Sequence, residues 1–256
     1  METSYNIVEW INNYLNESGL KSLIVGVSGG IDSALVSTLC AQTGRKTFIV
    51  SMPIHQQKDQ IDRAQNHMQW LEQNYPNVVC CTQDLTALFD NFKSMFGKPE
   101  HELALANSRS RLRMVTLYQI AGMNNGLVVG TGNKIEDFGV GFYTKYGDGG
   151  VDISPIGDLT KTQVRKLARG LGIIEEILTA KPTDGLWNDD RTDEDQMGAT
   201  YEELEWAMDY VNKPNTIALN ARQELVLSIY QRLNKQNLHK MQPIPVYRYD
   251  TQNSTN

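Results

Sequence analysis

Apolar residues Ile7, Trp10, Ile11, Tyr14 and Leu15 fall at i, i+3, i+4, i+7 and i+8, a spacing that predicts a one-faced helix ended by Gly19. Leu23 to Val27 is an apolar run without alternation, the pattern of a strand buried on both faces. Ser28-Gly29-Gly30-Ile31-Asp32-Ser33 then turns the chain into a helix over Ala34–Gln42, with Gly44 as its stop. The same pattern predicts strands at Thr47–Ser51, Val78–Cys81 and Leu127–Gly130, and helices at Gln57–Asn74 and Glu100–Met123. From Asp137 to Asp195 the chain is rich in Gly, Asp and Thr, broken by a short helix at Lys161–Arg169; long irregular stretches of this kind are often binding loops. Helix returns at Tyr201–Val211, and Ile217, Ala221, Leu225 and Ile229 follow at spacing four.

Buried strands alternating with helices predict an α/β fold, a doubly wound parallel sheet with helices on both faces. Ligands of such sheets bind at the carboxyl ends of the strands. Ser28–Ser33, Ser51–Gln57 and Thr131–Glu136 therefore share one rim, and each is polar just where its strand ends. No repeat or Pro/Ser linker divides the chain, so residues 1–256 are expected to form one domain.

Composition narrows the function classes. The net charge is −6, from 24 basic and 30 acidic residues, which gives no basic stripe for nucleic acid or a membrane surface and favours a small substrate. No apolar run reaches the ~18 residues of a membrane span, and the start Met1-Glu2-Thr3-Ser4 has no export-signal pattern, so a cytoplasmic location is expected. Cys40, Cys80 and Cys81 include no CxxC pair; their helix and strand positions suit inert buried thiols rather than disulfides or a zinc site.

The chemistry starts at Gly26-Val27-Ser28-Gly29-Gly30-Ile31-Asp32-Ser33. A strand feeding a Gly-rich turn that opens a helix lets N–H groups converge on an anion, with the helix N-terminus adding positive potential. The Walker A loop places a lysine after its glycines; here an aspartate stands there instead. A carboxylate in a phosphate nest is repulsive unless a cation lies between, so Asp32 implies Mg²⁺. The plainer alternative is a turn in which Asp32 and Ser33 merely cap a helix.

Ser28–Ser33 is the SGGxDS signature of the N-type ATP pyrophosphatases, shared by GMP synthetases, asparagine synthetases and several tRNA-modifying enzymes. The second half chooses among them. Asn107–Met114, Gly130–Glu136, Phe142–Asp152, Lys181–Trp187, Thr192–Glu194 with Met197-Gly198 and Tyr201, and His239-Lys240 occur in order and resemble the ammonia-dependent NAD synthetases, from the N-terminal helix to about Pro245. The resemblance implies an adenine nucleotide α-hydrolase-like fold and amidation of deamido-NAD by ammonia, with ATP consumed to AMP and pyrophosphate through an acyl-adenylate. Such chemistry requires no protein nucleophile and rests on positioning and charge neutralisation.

By resemblance, Gly26, Val27, Ser28, Gly29, Gly30, Ile31, Asp32 and Ser33 serve ATP together with Gln57, Thr131, Lys161 and Thr183, and Asp32 and Glu136 hold Mg²⁺. Arg111, Lys145, Asp152, His239 and Lys240 map to deamido-NAD. Asp148 is the candidate to take a proton from ammonium, which has no lone pair until it loses one. Read singly, Glu136 is a helix-start acid, Lys161 a solvated helix lysine, His239 a surface histidine and Asp148 a turn aspartate. Arg109 and Arg113 lie four apart, on a different helical face from Arg111, and read as surface charge.

Three departures stand out. Gly132-Asn133-Lys134 replaces Asp-His-Ala of some family members, the Thr131–Asp148 stretch is one residue longer than theirs, and Met241 stands where arginine is frequent. A chain of 256 residues has no room for the amidase domain of glutamine-using members, so ammonia is expected as direct donor. A homodimer is implied as well. The rivals are another ATP pyrophosphatase, of which tRNA-acting kinds should be basic, and a non-catalytic adenine-nucleotide sensor, which would leave the pairing of Asp32 with Glu136 unexplained.

Overall fold

The computed structural model describes residues 2–97, 101–183, 185, 191–213 and 218–249. Of the expectations above, Glu100, Asp184, Leu186, Trp187 and Ile217 lie outside the described residues. Four parallel strands, β1 (Ser22–Val27), β2 (Lys46–Ser51), β3 (Val78–Thr82) and β4 (Gly126–Val129), form a sheet in the order β3-β2-β1-β4. Val129 also bridges Ile153, which extends the sheet beyond β4.

Successive side chains of β1 enter different cores, as the pleat requires. Leu23, Val25 and Val27 face one layer, packed with α1 (Glu2–Ser18), α2 (Ile31–Gln42) and α6 (Lys161–Gly170). Ile24 faces the opposite layer, with Phe89 of α4 (Thr86–Ser94) and Ala121 of α5 (Glu102–Asn124). Burial on both sides is why β1 reads as an unbroken apolar run. The helix α3 (Lys58–Asn74) joins the first layer through Met68 and Leu71.

A third core gathers Ile135 and Val140 of a π-helical turn, Ile135–Val140, against α9 (Tyr201–Asn212) and α10 (Ala221–Met241). Two short helices, α7 (Glu175–Leu178) and α8 (Asp193–Met197), lie within the stretch expected to be irregular. The spacing-four apolar row of α10 does not mark its buried face: Leu225 is exposed, while Val226 and Tyr230 are buried. Among the described residues no helix is long and apolar enough to cross a membrane.

Candidate active site

The sheet order reverses between β1 and β4, since β1 leads outward to β2 and β3 on one side while β4 lies on the other. A cleft opens at the carboxyl ends of this pair, where ligands of such sheets bind. Its volume is about 280 Å³.

The loop after β1 supplies the first wall. Gly29 has φ +82°, and a Cβ there would stand 2.7 Å from the Gln60 carbonyl oxygen, so both the turn and the approach of α3 require glycine. Ser33 Oγ donates to Gly30 O at 3.0 Å and accepts from Ser28 N at 3.3 Å, closing the loop on itself. The helix α2 begins at N-cap Gly30 with no side-chain cap, whereas α6, α8, α9 and α10 each carry a full capping box. The capping alternative for Asp32 and Ser33 is thereby excluded. The first turn of α2, Ile31 to Ser33, lines the cleft, and a helix start in that place is the arrangement that receives an anion.

Asp32 instead meets Lys161. The Lys161 ammonium, 2% exposed, donates to Asp32 Oδ2 at 2.5 Å and to Glu136 Oε1 at 3.1 Å. This overturns the reading of Lys161 as a solvated helix lysine: α6 starts at this residue and directs it inward, 4.5 Å above the Tyr201 ring. The Tyr201 hydroxyl reaches Glu136 Oε1 at 2.5 Å and Asp193 Oδ2 at 3.2 Å. Burial pushes the Asp32 carboxyl up to about 6, with Lys161 opposing and the charge of Glu136 adding to it. Burial alone would lower Lys161, but the two carboxylates outweigh it and hold the ammonium protonated.

Oxygen donors suit Mg²⁺, and the pair has one to spare: Asp32 Oδ1 is buried without a hydrogen-bond partner. No group of three acidic, His or Cys side chains that could hold a metal occurs among the described residues. The two carboxylates fit a Mg²⁺ that completes its shell with substrate oxygens, which is how this ion is usually bound.

Of the residues assigned to ATP, Gly26, Val27, Ser28, Gly30, Ile31, Asp32, Ser33, Thr131, Lys161 and Thr183 line the cleft. Gly29 and Gln57 do not; Gln57 is the N-cap of α3, and the wall at this turn is Gln56 and Gln60, hydrogen-bonded to each other. Arg113 also lines the cleft, donating from Nε to Met52 O at 3.0 Å and from Nη2 to Gln56 Oε1 at 2.9 Å. Arg109 lies with its guanidinium 4.7 Å from the Phe89 ring centre. Neither is plain surface charge, and only the fold, by bringing α5 over Met52 and Phe89, distinguishes them from exposed arginines.

Asp148 lines the cleft at a solvent-reachable place and is held there by Ser110 Oγ at 2.6 Å and Thr144 N at 3.0 Å, both donating to Oδ1. Desolvation by the surrounding protein raises its carboxyl, and these hydrogen bonds oppose the rise. It is a braced carboxylate rather than a loose turn residue.

The residues mapped to deamido-NAD divide. Arg111 Nε donates to Lys145 O at 3.3 Å, Lys145 Nζ to His239 O at 2.8 Å, and Lys240 Nζ to Gly141 O and Tyr143 O, each at 2.8 Å. These four residues thus gather where α10 meets the 141–145 segment. Asp152 is elsewhere: its carboxylate accepts from Val128 N at 2.8 Å and Tyr118 hydroxyl at 3.0 Å, beside β4. Burial raises the thiols of Cys40, Cys80 and Cys81, the direction of unreactive cysteines.

A parallel sheet with an uncapped glycine loop and paired carboxylates at its switch point defines an adenine nucleotide α-hydrolase-like protein. A family model described as NAD synthase matches residues 3–243. An NH(3)-dependent NAD(+) synthetase of Carboxydothermus hydrogenoformans is 40% identical over 205 residues, which cover 80% of this chain and 83% of that one. That of Finegoldia magna is 34% identical, covering 97% and 96% of the two chains. The solved structure of NMN synthetase from Francisella tularensis has a TM-score of 0.86 at 29% identity, covering 97% of this chain and 98% of that one. The chain belongs to the NAD synthase family, a family of ATP-using ligases.

Proposed function

We propose that the chain amidates the nicotinate carboxylate of deamido-NAD with ammonia, consuming ATP to AMP and pyrophosphate. The observation that carries this reading is the Asp32–Lys161–Glu136 constellation beneath the uncapped start of α2. Phosphate oxygens against the N–H groups of Ile31 to Ser33 would set the α-phosphorus toward the cleft. A carboxylate is a poor electrophile. Attack of its oxygen on the α-phosphorus forms the acyl–phosphate bond, breaks the α–β linkage, releases pyrophosphate and leaves AMP as a good leaving group. Ammonia then attacks the acyl carbon, and AMP departs. Asp148, braced by Ser110 and Thr144, takes the proton that ammonium must lose. Asp32 and Glu136 would hold Mg²⁺, which supplies charge neutralisation on the phosphates. Lys161 and Tyr201 fix the oxygen positions of these two acids, and Arg113 positions Gln56 on the facing wall.

The one-domain reading accompanies this proposal, since Tyr201 from the third core completes the constellation. A homodimer does too: α5 leaves Leu103, Val115 and Met123 exposed, apolar area that a second copy would cover.

The test measures pyrophosphate release from Mg-ATP with deamido-NAD present or absent, and with ammonium or glutamine as donor. Release and NAD formation that require both deamido-NAD and ammonium are expected. Release without deamido-NAD would instead reveal another pyrophosphatase substrate, and no release at all a nucleotide sensor. The likeness to an NMN synthetase favours one further arm, nicotinate mononucleotide as acceptor. Faster turnover of the mononucleotide would move the assignment to that substrate.

A further inference from the structure

Three residues of α5 carry aliphatic hydroxyls, and two of them use these groups as helix interiors usually do. Ser108 Oγ donates to Ala104 O and Thr116 Oγ1 to Leu112 O, each at 2.9 Å and each to the carbonyl four residues earlier. Ser110 does not. Its hydroxyl turns out of the helix, donates to Asp148 Oδ1 at 2.6 Å and accepts from Asp148 N at 2.8 Å. One side chain thus grips both the backbone and the carboxylate of a single residue, which fixes the direction of that carboxylate. Gly147 makes the grip possible. A Cβ there would overlap the Ser110 hydroxyl and stand 2.9 Å from the Ser110 Cβ. The Gly147 backbone is not left-handed, so its glycine serves the close approach of α5.

The grip also distinguishes the two oxygens of Asp148. Oδ1 accepts from both the Ser110 hydroxyl and Thr144 N, and Thr144 is itself held by its Oγ1, which donates to Asn107 Oδ1 at 2.7 Å. Among the described residues no hydrogen bond reaches Oδ2. Ser110 is 6% exposed, whereas Asp148 is open to solvent where it borders the cleft. The Lys240 ammonium acts on this carboxylate as well, but its hydrogen bonds go to Gly141 O and Tyr143 O. A charge attracts from any direction, whereas a hydrogen bond aims.

We propose that Ser110 is a positioning residue for the amidation step: it holds Asp148 by Oδ1, so that Oδ2 is the atom presented to the cleft and the atom that takes the proton from ammonium. This rests on the amidation reading above and adds to it the accepting atom and the group that aims it. An N–H bond of ammonium breaks, its electron pair stays on nitrogen to attack the acyl carbon, and the proton passes to Oδ2.

The test compares Ser110→Ala with the unmodified protein in both halves of the reaction. Alanine is the stronger helix former, so α5 is expected to hold. Turnover at saturating ammonium should fall about tenfold or more, because a small misplacement of a base costs that order. Deamido-NAD-dependent exchange of pyrophosphate into ATP, which precedes ammonia, should stay within about twofold. With hydroxylamine, a nucleophile uncharged at neutral pH, the loss should shrink to about twofold. In an Asp148→Asn background, Ser110→Ala should add less than about twofold, since the hydroxyl then has no base to aim. Full turnover in Ser110→Ala, an equal loss in exchange and amidation, or losses that multiply in the double variant would each overturn the inference. An unmodified protein that exchanges no pyrophosphate with deamido-NAD would overturn the amidation reading itself, and the assignment of Oδ2 with it.

Discussion

Acid should unfold this protein through His67. The ring sits on α3, 1% exposed, stacked on Trp70 at 5.7 Å, with Nε2 2.8 Å from Ser37 Oγ on α2. Ser37 Oγ already donates to Ala34 O at 3.0 Å, so the ring presents Nε2–H as donor, and Nδ1 is buried without a partner. Protonating Nδ1 would place an unpaired charge in the layer that anchors the start of α2. Burial accordingly lowers the His67 pKa from 6.5 to about 4, with the nearby Ala34 carbonyl opposing the fall. The unfolded chain binds the proton at the ordinary value and the folded chain does not, so the contribution is complete above pH 6.5 and is lost as pH falls toward 4. A fall from 6.5 to about 4 is worth roughly 3 kcal/mol, a large part of an ordinary folding free energy. Asp32 has the opposite sign: its raised carboxyl costs stability at high pH and relieves that cost as pH falls through about 6. A difference against His67→Gln removes this background. Urea unfolding of both proteins from pH 7.5 to 4.5 should show the unmodified protein losing ~1.4 kcal/mol per pH unit more than the variant below pH 6.5. Parallel loss in the two proteins, or an NMR titration of His67 near 6.5, would refute the reasoning.

Two substitutions test the constellation beneath the cleft. Lys161→Met leaves Asp32 and Glu136 buried together without their cation and should cost about 3–5 kcal/mol in urea unfolding, with Mg²⁺ restoring more stability to the variant than to the unmodified protein. Equal Mg²⁺ responses would exclude the two acids as its ligands. Tyr201→Phe keeps the ring 4.5 Å from the Lys161 ammonium but removes the hydroxyl from Glu136 and Asp193. It should cost about 1.5–3 kcal/mol in the same assay, and no loss would show that the hydroxyl contributes nothing to the cluster.

Much of the fold was legible in the residues themselves. The apolar runs at Leu23, Thr47, Val78 and Leu127 became the four strands; for β1 and β4 the reason is that a strand covered on both faces must be apolar throughout, and that demand is local, whereas the edge strand β3 leaves Val79 exposed. Ser28–Ser33 was legible as a glycine-rich turn between strand and helix, and its Gly29 takes a φ of +82° that glycine adopts freely. The helices α4, α7 and α8 and the π-helical turn were not anticipated. Each is short, with too few turns for an apolar period to repeat, and takes its stability from packing.

What only the tertiary structure decided is which charged residues meet. Lys161 stands 129 residues from Asp32 and Tyr201 65 from Glu136, and nothing local distinguishes a buried lysine at a helix start from an exposed one. Arg113 was drawn onto the cleft, and Asp152 to the backbone of β4, by the same distant packing. Sequence determined the glycine-rich turn after β1 because backbone sterics act within a few residues. The charge constellation below it waited on the fold, since a carboxylate acquires its partner and its pKa only when the sheet brings the carboxyl ends of β1 and β4 side by side.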